Sequence, residues 1–198
     1  MRNTLLKVSS VVALCILAST FTAANYSAYA INGHGSHYGP EFGAGLYMTY
    51  NDALKINESP FDLSEYSTTI PTQKLYVNDQ SEITLKIYHH ANPEYIQHVN
   101  VYLNLQGQNP SLSDSNLWIE YDKYDGLTTH DAQGIFKSVK AQVTYDDHFM
   151  YLTFNITPAT TLDTTDMIIT AWDSNLSTGQ AVVLNAFKIG YIPDGFSR

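Results

Sequence analysis

The sequence predicts an all-β protein: one antiparallel sandwich of two sheets, immunoglobulin/fibronectin-like or jelly-roll in type, following a cleaved signal peptide. Two observations carry the prediction. Apolar and polar residues alternate strictly through 82–88 and again through 99–105, the pattern of strands with one buried and one wet face. Runs of this kind recur along the chain, eight to ten of them, with turn residues between them and no convincing helix or internal repeat.

Taken in order, the chain opens with Arg2 and Lys7, continues into the apolar run Val11–Ala18 and reaches Ala28-Tyr29-Ala30. A charged start, a short hydrophobic core and an Ala-x-Ala site make residues 1–30 a signal peptide, with cleavage after Ala24 as the second choice. That core is about half the ~20 apolar residues that span a bilayer, and no later segment is longer, so no transmembrane segment is expected. Residues 31–45, rich in Gly and His, read as a flexible arm, and 46–198 as a single sandwich domain. Residues 46–50 suggest a first strand, 57–71 a loop with one helical turn near 62–66, and 73–77 a short strand. After the alternating runs 82–88 and 99–105 comes a strand at 117–121, then a polar stretch, 122–134, punctuated by Gly126 and Gly134. Residues 135–145 and 150–157, joined by Asp146-Asp147-His148, form the clearest hairpin. The runs 166–172 and 181–189 are apolar on both faces and are therefore expected to be central.

Charge and cysteine content exclude several functions. Without residues 1–30 the chain carries eight Lys and Arg against nineteen Asp and Glu, a formal charge of −11, which disfavours nucleic acid as a partner. Cys15, the single cysteine, leaves with the signal peptide, so disulfides, a cysteine nucleophile and cysteine-ligated metal centres are all absent from the mature chain. Such a sandwich resembles the fibronectin-like rather than the antibody-like sort, held by its core alone. The sequons at Asn57, Asn155 and Asn175 make a glycoprotein an expectation for a secreted or cell-surface chain.

Four short blocks carry a resemblance: residues 97–104, 118–122, 130–136 and 168–173. Over roughly residues 62–188 the chain resembles a family of uncharacterised secreted β-sandwich proteins encoded by ammonia-oxidising archaea. The resemblance implies an archaeal extracellular setting and no activity. Where members often have Asp-Pro-His-Gly, this chain has Asp131-Ala132-Gln133-Gly134, which removes a histidine from that loop.

Candidate ligands are histidines. If 82–90 and 98–105 pair as a hairpin, parity brings His90 and His98 together on the outward face. Copper, zinc or nickel would then sit between them, with Glu94 or water completing the shell. His89 is a further candidate ligand beside them, or, on its inward parity, a cap on the core. His34 and His37 on the arm form a second candidate metal site. Copper is the first cofactor expectation. Calcium, bound by acidic loops such as 122–126, is the second.

Enzyme signals are poor. There is no Gly-x-Ser-x-Gly elbow, and Glu120 and Asp122, the carboxylates placed on one strand face as a glycosidase would need, suit a solvated surface as well. Tyr88, Tyr102 and Tyr151 on outward parity suggest sugar stacking or cross-strand packing. The expectation is therefore a non-catalytic binding protein, secreted or at the cell surface, with a metal ion as its small partner. The alternative is a structural subunit of an extracellular layer or filament that self-associates through the arm 31–45.

Overall fold

A computed structural model describes residues 39–45, 48–107 and 109–193. Residues 1–30, read as a signal peptide, and His34 and His37 lie outside these residues. Fifteen strands run in chain order: β1 (Glu41–Phe42), β2 (Ala44–Gly45), β3 (Met48–Thr49), β4 (Leu54–Ile56), β5 (Ser59–Phe61), β6 (Ser67–Thr69), β7 (Gln73–Tyr76), β8 (Ser81–Tyr88), β9 (Ile96–Leu105), β10 (Leu117–Asp122), β11 (Gly126–Asp131), β12 (Phe136–Asp146), β13 (Phe149–Pro158), β14 (Leu162–Asp173) and β15 (Thr178–Gly190). Two 3₁₀ turns, Pro93–Tyr95 and Leu112–Asp114, are the helical elements among the described residues.

The strands form two main sheets, packed as a sandwich. One has the order β12-β13-β8-β4-β5, with β1 also on β8. The other has the order β11-β10-β9-β14-β15-β6, with β7 also on β15. β6 and β7 run parallel to β15, and the other pairings are antiparallel. A small separate pair joins β2 to β3.

Alternation explains the core. Ile83, Leu85 and Ile87 of β8 and Leu152, Phe154 and Ile156 of β13 point inward from one sheet, all fully buried. Val99, Val101 and Leu103 of β9 meet them from the other, with Met167, Ile169 and Ala171 of β14 and Ala181 and Val183 of β15. The hairpin expected from 135–157 is present as β12–β13, in register from Ser138↔Thr157 to Asp146↔Phe149. β14 lies between β9 and β15, and β15 between β14 and β6, so neither is an edge, as their two apolar faces require.

Four expectations are corrected. β8 and β9 do not pair: the connection 89–95 crosses from one sheet to the other. Residues 126–131, inside the polar stretch, form edge strand β11 against β10. Residues 62–66 contain no helical turn, and the loop read at 57–71 instead holds β5 and β6; β5 is returned onto β4 by a tight turn with Asn57 at φ 53°. Finally, part of the arm is built into the sandwich, because Glu41 pairs with Tyr88 and Phe42 with Ile87. Gly179 makes this possible: a Cβ there would lie 1.9 Å from the Pro40 carbonyl oxygen, so only glycine lets the entering chain cross β15 so closely.

Candidate binding surface at the loop end

Strand directions bring four connections to one end of the sandwich: 89–95 between β8 and β9, 123–125 between β10 and β11, 147–148 between β12 and β13, and 174–177 between β14 and β15. Loops that only surround a core are usually held by their own backbone and water. Here three buried polar side chains reach up from the strand ends and hold the loop backbone.

His89, 2% exposed, follows the inward row Ile83, Leu85, Ile87. Its Nδ1 accepts the amides of Ala91 (3.2 Å) and Asn92 (3.1 Å). Two donors at Nδ1 place the ring proton on Nε2, which donates to Asp173 Oδ2 at 3.1 Å. Asp173, 1% exposed, closes β14 in the opposite sheet. Its Oδ1 accepts the amides of Asn175 (2.8 Å) and Ser177 (2.9 Å). The pair thus ties the two sheets together and shapes two loops, and both oxygens and both ring nitrogens have partners.

Asp122, 8% exposed, does the same for the third loop. Its Oδ1 accepts the amides of Tyr124 (2.7 Å) and Asp125 (2.8 Å), and its Oδ2 lies 2.6 Å from His98 Nδ1. The backbone amides of Asp125 and Tyr124, with His98 adding to them against the cost of desolvation, hold the Asp122 carboxyl below its ordinary range. Bonds within and between the loops complete the frame. Asn92 caps the 3₁₀ turn through Glu94 N (2.8 Å), Ser174 N donates to Tyr95 O (2.9 Å), Lys123 Nζ donates to Glu94 O (2.5 Å) and His89 N donates to His148 O (2.9 Å).

What these loops carry outward is aromatic. Of the eight large apolar or aromatic side chains exposed among the described residues, Tyr95, Tyr124, Tyr145 and Leu176 stand at this end, with Tyr124 75% and Leu176 77% exposed. Tyr145 at the end of β12 hydrogen-bonds Tyr121 of β10, in the other sheet, and burial together with the Tyr121 and Glu94 charges pushes its phenol up to about 12. Tyr121 is raised as well, chiefly by burial. Glu94, Asp125, Asp146 and Asp147 are exposed around these rings.

The expected metal ligands are dispersed. His90 is exposed just beyond β8, whereas His98 lies on the outer face of the other sheet, stacked on Trp172 at 4.6 Å and 18°. The crossing of 89–95 separates the two and removes the geometric basis for a shared ion. Glu94 faces Lys123 Nζ at 3.9 Å. The loop 122–126 read as a calcium candidate is closed by the Asp122 carboxylate on its own amides. Among the described residues no group of three or more His, Cys, Asp or Glu side chains is placed to hold a metal ion.

The tyrosines proposed for sugar stacking have occupied rings. Tyr88 is 4% exposed beneath Gly45, and Tyr151 neighbours Phe149 and the Lys86 ammonium. On the outer face of the seven-stranded sheet, His130, Trp118 and Tyr102 lie side by side across strands, with His130–Trp118 centroids 4.1 Å apart at 17°. Parallel rings separated by about the 4.8 Å strand spacing stand upright on the sheet, so edges rather than faces meet solvent. Glu120 and Asp122 do share that face, but each lies beside a histidine, His130 (3.4 Å) and His98 (2.6 Å).

No protein-family model matches the chain, and no curated protein matches it in sequence. The functional reading therefore rests on the loop end itself. Sequence reasoning noticed His89 and Asp122 but missed their work and missed Asp173. The available signal was parity, since an acid at the inward end of an otherwise apolar strand needs a buried partner.

Proposed function

We propose that the chain is a secreted, non-catalytic binding protein on an immunoglobulin-like sandwich of the variable type, engaging a macromolecular partner through its loop end. The strand orders β12-β13-β8-β4 and β11-β10-β9-β14-β15, with β6 and β7 parallel on β15, support the variable-type arrangement. β10 and β11, extending the sheet beyond β9, favour it over the fibronectin-like sort, and an aliphatic core stands where antibody domains carry a disulfide. Secretion rests on the residues 1–30 alone.

The observation that carries the binding reading is the holding of three loops by His89, Asp122 and Asp173 while Tyr95, Tyr124 and Leu176 project from them and Tyr145 stands beside them at the end of β12. Loops held rigid before contact lose less conformational entropy on binding, and tyrosine supplies wide contact area with few rotatable bonds. The alternative of assembly through the arm gains no comparable support, because Glu41 and Phe42 pair within their own chain.

The test is a selection of displayed peptides and small protein domains on the immobilised protein. Binders that lose affinity at least tenfold for Tyr95→Ala or Tyr124→Ala, but not for Tyr191→Ala at the opposite end, support the reading. Binders indifferent to every loop substitution would count against it.

A further inference from the structure

The loop end has a sign as well as a shape. Glu94 lies on the 89–95 loop, Asp125 on the 123–125 loop, and Asp146 and Asp147 at the β12–β13 turn; all four are exposed. The one lysine on these loops, Lys123, is engaged by the Glu94 carbonyl and faces its carboxylate. The described residues contain no arginine, both arginines of the chain being Arg2 and Arg198. The Glu94 charge reaches the Tyr145 phenol, so acids and rings share one surface.

We propose that the partner presents a cationic, Lys- or Arg-rich protein segment to this surface. This inference rests on the loop-end reading above. An ammonium or guanidinium over a tyrosine face is attracted by the ring quadrupole, and a carboxylate beside the ring adds a second, salt-sensitive attraction. Guanidinium groups fit best, because they stack flat on the ring and pair with carboxylates in two-pronged fashion. Phosphate-bearing and acidic partners are repelled by the same four carboxylates and by the net charge of the chain. His90 and His148, also exposed at this end, are the other titratable groups facing a partner.

The experiment measures fluorescence anisotropy of a labelled Arg/Gly-rich decapeptide, its Glu/Gly counterpart and a neutral oligosaccharide, each against the full secreted protein. The expected result is saturable binding of the arginine peptide alone. That binding weakens at least tenfold in the triple variant Asp125→Asn/Asp146→Asn/Asp147→Asn and in Tyr95→Ala/Tyr124→Ala, and steeply with added salt. It is unchanged in Glu58→Gln/Glu82→Gln, which removes charge at the opposite end. Equal loss in that control would reduce the effect to general attraction and overturn the proposal. Preference for the acidic peptide or the oligosaccharide, abolished by Tyr95→Ala/Tyr124→Ala, would also overturn it while leaving the loop-end reading standing. If no ligand in this assay and no selected binder depends on the loop tyrosines, both fall.

Discussion

Asp173 receives the Nε2–H of His89 at 3.1 Å across the space between the two sheets, with both side chains almost wholly removed from water. Residues 84 positions apart in sequence thus share one buried bond, and each spends its remaining acceptors on the loop that follows it.

Removing one partner leaves the other buried and unpaired. Asp173→Ala orphans the imidazole N–H and two loop amides, so the unfolding free energy should drop by about 3 kcal/mol or more. Urea denaturation measures this; a loss below about 1 kcal/mol would mean that water replaces the carboxylate without penalty.

Asp122 predicts a dependence on acid. Its folded pKa lies below the ordinary 3.8, so its contribution to stability is present above that value and is lost as pH falls through the lower, folded value. Asp122→Asn, which keeps an acceptor for the turn amides but no charge for His98, should flatten the stability profile below about pH 4. Denaturation midpoints collected from pH 6 down to pH 2 in both proteins give the comparison.

Tyr145 makes the opposite prediction at high pH. With its phenol raised to about 12 from 10, the folded state is favoured fully below pH 10, and this contribution disappears between the two values. Ultraviolet titration should show the late tyrosinate absorbance of the wild type reduced by one phenol in Tyr145→Phe, with the buried Tyr50 and Tyr121 phenols still titrating late. Loss of an ordinary rather than a late component of the titration would place the Tyr145 phenol in ordinary solvent.

At Gly179 even one methyl group meets backbone. Gly179→Ala should unseat the segment around Pro40 and strip Phe42 from its place against the core, since the clash is with a carbonyl oxygen that cannot rotate away. Faster hydrogen exchange at Phe42 and new protease cutting near residue 40 are the expected readouts, with exchange at β13 unchanged.

Period-two alternation made β8, β9, β12 and β13 readable because each turns one apolar face to the core. It assigns faces, however, and not partners. That is why β8 and β9 could be taken for a hairpin, although 89–95 crosses between sheets. β11 escaped notice for a related reason: an edge strand such as Gly126–Asp131 buries little and need not look apolar. β4 and β5 are three residues each, too short to show a period, and are joined at Asn57. At the loop end His89 and Asp122 were visible as residue types. Their link to loop amides and to Asp173 depends on sheet packing, which composition does not encode.

The close passage at Gly179 also sets the direction in which the molecule can be handled. Gly39 lies against Ser177, so the described chain enters beside the loops, while β15 ends at Gly190, against Tyr76, a full strand length away. A fluorophore, tag or fused domain placed ahead of residue 39 would crowd the loop tyrosines. The same cargo attached after residue 193 would leave them facing outward, which makes the carboxyl end the point from which to tether this protein to a bead, a sensor chip or a cell.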